Sequence, residues 1–66
     1  MARATIEAMY PVGMRVKERF NKLSPMRGVV VGHTGSLHVR VQWDGKPYPD
    51  DWLFPAIRED HSYEGT

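Results

Sequence analysis

Two histidines beside a glycine-containing turn are the first candidates for chemistry in this chain. His33 and His38 lie on either side of Gly35 and Ser36. If these two residues alone formed a hairpin turn, the imidazoles would face each other and could make a pH-sensitive or metal-binding pair. A closed metal site needs further ligands, however, and the sequence has no cysteine and suggests no other suitable group. We therefore predict no metal site.

The apolar residues around this turn favour a different register of the hairpin. A three-residue turn over residues 34–36 would group six apolar side chains on one face: Val29, Val31, Leu37, Val39, Val41 and Trp43. A two-residue turn would instead place the two valines of the first strand on the same face as Arg40 and Gln42. Because a slip of one residue moves every side chain to the other face, burial predicts the three-residue turn.

Carboxylates and nucleophiles are not arranged for catalysis. Asp50 and Asp51 are adjacent, and consecutive residues of a strand point to opposite faces, so the two carboxylates cannot easily share a proton or a metal. The chain has no cysteine nucleophile, no Gly-x-Ser-x-Gly elbow, no His-Glu-x-x-His motif and no glycine-rich phosphate loop between a strand and a helix. We predict no catalytic residues.

Aromatic side chains cluster around a proline-rich segment, residues 44–50. A chain this short needs its largest apolar groups inside, so we expect Trp43 and one of Trp52 or Phe54 in the core. The alternation of Trp52 and Phe54 with Leu53 means that one of these two sets faces outwards. Because aromatic residues dominate binding hot spots, Tyr48, Trp52 and Phe54 are predicted to bind a protein partner or a second copy of the chain.

The net charge of +1 conceals a difference between the two halves of the chain. Residues 1–33 carry six Lys or Arg against two Glu, and residues 34–66 carry three Lys or Arg against six carboxylates. Four cations are predicted to lie on the outer faces of strands, where they could bind nucleic acid: Arg15, Lys17, Arg19 and Arg40. The small net charge favours protein binding or self-association over nucleic acid.

Hydrophobic alternation and turn signals predict five strands in one domain. The expected elements are strands at 10–20, 27–33, 37–43, 51–54 and around 58–59, with a single 3₁₀ turn at 55–57. Residues 1–10 are predicted to be a flexible arm, 11–60 a barrel and 61–66 a frayed tail. Since no apolar run approaches a membrane span and the first residues lack a secretory signal, we expect a cytoplasmic protein with no membrane partner.

Four segments resemble the small SH3-like barrels encoded by bacteria and phages: Gly-Met-Arg-Val at 13–16, Arg-Gly-Val-Val-Val at 27–31, His-Val-Arg-Val-Gln-Trp-Asp-Gly at 38–45 and Trp-Leu-Phe-Pro at 52–55. The resemblance covers residues 11–60 and implies an all-β fold, a five-stranded SH3-like barrel with one 3₁₀ turn near Pro55. Such barrels are mostly adaptors or nucleic-acid binders. We therefore predict a small binding module without a cofactor, and a homo-oligomer is expected because so short a chain forms a small core.

A second resemblance is to the type II dihydrofolate reductases, SH3-like barrels that form a tetramer around one pore. Residues 13–17, 27–32 and 54–57 are similar to that family's pattern. The resemblance implies NADPH as cofactor, with residues 51–54 lining the pore and Lys17 on or beside the pore lysine. The family's pore glutamine and tyrosine are replaced here, so we expect no reduction of dihydrofolate. The reductase stands as the alternative to a binding module.

Overall fold

The computed structural model describes residues 5–61, which form one antiparallel sheet of five strands. The elements in chain order are helix α1 Ile6–Met9, strands β1 Arg15–Glu18, β2 Arg27–Thr34, β3 His38–Trp43 and β4 Asp50–Leu53, a 3₁₀ turn Phe54–Ala56, and strand β5 Ile57–Glu59. The order across the sheet is β4-β3-β2-β1-β5. An all-β fold with five strands and a 3₁₀ turn at Pro55 is thus confirmed.

The core lies on one side of the sheet, and each strand except β4 contributes a fully buried side chain. Val39, Val41 and Trp43 alternate along β3 with more exposed neighbours, as predicted for this strand. The other buried apolar residues are Ile6, Tyr10, Val16, Val30 and Ile57. Among the described residues, no helix is long and apolar enough to cross a membrane.

The register of β2 against β3 differs from the prediction. Thr34 pairs with His38, so the turn comprises residues 35–37, and Val31 forms a bulge between the paired residues on either side of it. On the N-terminal side of the bulge, Val30 lies opposite Val41 and both are buried. Val29 is half-buried, and Val31 itself is exposed. The predicted burial of Val29 and Val31 is therefore wrong, as is that of Leu37, which is exposed in the turn.

Gly28 permits this register. It lies opposite Trp43, and a Cβ atom at this position would be 2.5 Å from the carbonyl oxygen of Gln42 and 2.9 Å from the Cα of Trp43. Only glycine permits so close an approach of the two strands. Three consecutive valines at 29–31 let either alternation satisfy the hydrophobic pattern, so the pattern alone could not choose between them.

Part of the expected flexible arm belongs to the core. Thr5 caps α1 by accepting a hydrogen bond from the Ala8 backbone N–H at 3.2 Å. Ile6 and Tyr10 are buried, and the Tyr10 hydroxyl donates to the Ile57 carbonyl at 3.2 Å. Residues 5–10 therefore close one side of the core, while residues 1–4 and the expected tail at 62–66 lie outside the described residues.

Strand β1 ends at Glu18, earlier than predicted, and the chain turns into the connection to β2 after one further backbone bond, from the Arg19 N–H to the Ala56 carbonyl. The Glu18 carboxylate accepts hydrogen bonds from the Met26 backbone N–H at 2.8 Å and from the Asn21 side chain at 3.3 Å. These bonds hold the connection between β1 and β2. Phe20, which we expected to alternate into the core with Val16, lies in this connection and is 78% exposed.

Candidate functional site

Three cations form a row across the sheet. Lys17 on β1 lies directly opposite Arg27 on β2 and directly opposite Arg58 on β5. Directly opposed residues of a sheet point to the same side, and the neighbouring Val16 is buried, so this cationic row lies on the outer face. With neighbouring strands about 4.8 Å apart, the backbone positions of the row span roughly 10 Å.

Two carboxylates lie near the cationic row. The Arg27 Nε is 3.5 Å from Oδ2 of Asp60, a residue that is only 1% exposed, and the Arg15 Nη2 is 3.1 Å from Oδ2 of Asp44. Within residues 5–61, Lys17 and Arg58 form no ion pair. The outer face of β1, β2 and β5 therefore carries four cations with two carboxylates beside them.

Arg19 extends this positive surface beyond the end of β1. Its backbone N–H donates to the Ala56 carbonyl at 2.9 Å, which continues the pairing of β1 towards β5. Its side chain joins Arg58, His61 and Glu59 in lining a shallow depression of about 480 Å³. Of the four cations predicted from the sequence, Arg15, Lys17 and Arg19 thus lie together.

The fourth predicted cation, Arg40, lies apart from the cationic row and is neutralised. On the β3–β4 side of the sheet, Arg40 Nε donates to Asp51 Oδ1 at 2.9 Å and Nη2 donates to Oδ2 at 3.4 Å. These hydrogen bonds hold the pKa of Asp51 below its usual range, with smaller contributions from Thr34 and the nearby positive charges, and they raise the pKa of Arg40. Asp51 is therefore a structural partner of Arg40.

The predicted aromatic residues do not form one exposed surface. Trp52 is half-buried and packs on Trp43, with ring centroids 4.9 Å apart and ring planes inclined by 60°. Phe54 is also half-buried against the core, so Leu53 is the member of the alternating set that faces outwards. Tyr48 alone among the three predicted contact residues is largely exposed, at 76%.

The two histidines of the turn do not face each other. His33 lies opposite Val39, and its Nε2 is 2.6 Å from the Tyr10 carbonyl oxygen, to which the ring donates. His38 pairs instead with Thr34 and Leu53. No group of three or more His, Cys, Asp or Glu side chains within residues 5–61 could hold a metal ion.

Arg27 and Arg58 are members of the site that the sequence did not reveal. The predicted register placed Arg27 on the same face of β2 as Val29 and Val31, which were expected to be buried. Arg58 joins the row only through the pairing of β5 with β1, which connects residues about forty positions apart. The outward position of Arg27 follows from the pairing of Gly28 with Trp43, which the sequence alone does not reveal.

Comparisons of the chain with protein-family models, curated proteins and solved structures give no match. The resemblances to SH3-like barrels and to type II reductases therefore stay predictions. In the sheet, β4 and β1 are separated by β3 and β2, whereas the 3₁₀ turn that follows β4 leads directly into β5, which pairs with β1.

Proposed function

We propose that this protein is a non-enzymatic module that binds nucleic acid through the phosphates. The observation that carries the proposal is the cationic row of Arg27, Lys17 and Arg58, three like charges held directly opposite one another on adjacent strands. Arg15 and Arg19 flank the row. The geometry favours this function over the protein-binding function that the small net charge suggested.

The energetic argument begins with repulsion. Like charges directly opposite each other destabilise a sheet. The Asp60 carboxylate, 3.5 Å from Arg27, offsets part of this repulsion, whereas Lys17 and Arg58 form no ion pair within residues 5–61. Phosphates are suitable anions for the row: arginine can bind one through two parallel hydrogen bonds, and lysine acts as a compact point charge. A bound phosphate backbone would turn a repulsive arrangement into an attractive one and would release its condensed counterions.

The small net charge is compatible with this proposal because the carboxylates that form ion pairs within residues 5–61 engage cations other than Lys17 and Arg58. Asp50 and Asp51 lie on β4, at the edge of the sheet opposite to β5. Asp51 is engaged by Arg40, and Asp44 is engaged by Arg15. A phosphate at Lys17 and Arg58 would therefore meet a locally positive surface, whatever the charge of the whole chain.

The same structure weakens the case for an aromatic protein-binding patch. Trp52 and Phe54 pack on the core, so they present less apolar surface than an interface anchor needs. Self-association, a homo-oligomer and a cytoplasmic location stay predictions.

The test is fluorescence anisotropy with labelled DNA and RNA at about 50 mM salt, where phosphate contacts are strongest. We expect Lys17→Gln to weaken binding of every sequence alike and to reduce the slope of log affinity against log salt by about one unit. Arg40→Gln is the charge-matched control, since Arg40 lies outside the row and is engaged by Asp51. Absence of binding to either nucleic acid, or equal effects of the two substitutions, would contradict the proposal.

A further inference from the structure

We propose that the cationic row binds single-stranded nucleic acid, whose bases stack on Phe20 and Tyr48. This inference rests on the proposed function and names the form of nucleic acid that the site selects. It comes from the position of the two most exposed aromatic side chains among the described residues, Phe20 at 78% and Tyr48 at 76%.

Both aromatic residues lie at the end of the sheet that carries the cationic row. Because the strands are antiparallel, the connection after β1 and the turn after β3 leave the sheet at the same end, where β2 begins. Phe20 follows Lys17 by three residues in the first of these connections. Tyr48 lies in the second, which starts beside Arg27: the Asp44 backbone N–H donates to the Arg27 carbonyl at 2.8 Å.

The segments that carry these aromatic residues are held against the sheet. The Gln42 side chain, on the outer face of β3, donates to the Lys46 carbonyl at 2.8 Å, and the Lys46 N–H donates to the Trp43 carbonyl at 3.1 Å. Tyr48 follows between two prolines, which restrict the backbone. The bond from the Arg19 N–H to the Ala56 carbonyl fixes the residue before Phe20. The backbone next to each aromatic residue is thus tied to the sheet, and neither ring takes part in the core.

This combination fits a single strand better than a duplex. In a duplex the bases are already stacked on one another, so they offer no free face on which an exposed aromatic ring could stack. A single strand presents the faces of its bases, and proteins that bind it without sequence preference combine a positive track for the backbone with aromatic stacking platforms. Along the chain, Lys46 precedes Tyr48 by two residues and Arg19 precedes Phe20 directly, so each aromatic residue has a cation close to it in sequence.

The test measures the affinity of the full chain for three labelled ligands of equal length at about 50 mM salt. The ligands are a thymidine oligonucleotide, the duplex of this strand with a complementary deoxyadenosine oligonucleotide, and an abasic strand with the same number of phosphates. We expect the thymidine strand to bind at least about tenfold more tightly than the abasic strand, because the stacking of one base on an aromatic ring is enough to raise the affinity about tenfold. Phe20→Ser and Tyr48→Ser should each weaken binding of the thymidine strand about tenfold and leave binding of the abasic strand unchanged.

Leu23→Ser is the matched control, because Leu23 is 99% exposed in the same connection as Phe20 and has no ring. It should bind all three ligands as the unsubstituted chain does. Equal affinity for the thymidine and abasic strands, or tighter binding of the duplex, would overturn the inference while the proposed function stood. Failure of all three ligands to bind would instead refute the proposed function. The abasic comparison needs no substitution, so it decides the matter even if a variant folds poorly.

Discussion

Replacing Lys17 should make the free protein more stable while weakening its binding of nucleic acid. Lys17 lies between Arg27 and Arg58 and forms no ion pair within the described residues 5–61. Two unit charges about 6 Å apart in water repel by about 0.7 kcal/mol. Lys17 faces a cation on each side, one of which, Arg27, is also attracted by Asp60. After screening by salt, we expect Lys17→Gln to raise the free energy of unfolding by about 0.5–1 kcal/mol.

Chemical unfolding of the chain without nucleic acid measures this effect. Lys17→Glu should stabilise further, since it converts both repulsive pairs into attractive ones. For a domain of this size, 1 kcal/mol corresponds to about 4–8 °C in the melting temperature. Both gains should shrink at about 1 M salt, where the Debye length falls to roughly 3 Å.

Lys46→Gln is the control, because Lys46 lies in the turn after β3 and is not opposed by another cation of the sheet. It should leave stability unchanged at both salt concentrations. A loss of stability in Lys17→Glu at low salt would refute the repulsion argument. So would a gain in Lys17→Gln that does not depend on salt, because that gain would have to come from packing or strand propensity.

The other predictions concern the core, the hairpin register and the outer ion pair. Val41→Ala should cost about 1–3 kcal/mol of unfolding free energy through lost burial and a cavity, whereas Val31→Ala, at the exposed bulge, should cost only a few tenths. Equal costs would mean that the observed register is wrong. Gly28→Ala should destabilise by about 2 kcal/mol or more, because its Cβ would lie 2.5 Å from a backbone oxygen; a neutral effect in thermal unfolding would show that the strands can separate there at no cost. The pKa of Asp51, followed by NMR, should rise in Arg40→Gln. Since the folded pKa of Asp51 is lowered, the stability it contributes is present above its unfolded pKa and is lost as pH falls through the folded value. This loss should become smaller in Arg40→Gln, because Thr34 and His38 also lower the pKa of Asp51.

Local sequence determined most of the elements. The alternation of Val39, Val41 and Trp43 with polar neighbours defines β3, and the glycine, proline and serine signals mark the connections. The 3₁₀ turn and β5 were found within about one residue because Pro55 restricts the backbone where the chain bends. These features depend on neighbouring residues, and neighbouring residues are what periodicity and turn chemistry describe.

Tertiary structure decided the faces and the site. Three valines in succession satisfy either alternation, and the observed pairing, in which Gly28 fits closely against Trp43, buries Val30. The same contact turns Arg27 outwards, and the pairing of β5 with β1 brings Arg58 beside Lys17. Long-range pairing also placed Tyr10 against Ile57, so that residues expected to form an arm became part of the core. A sequence pattern reports which side chains share a face of one strand, but only the packing of distant strands decides which cations meet.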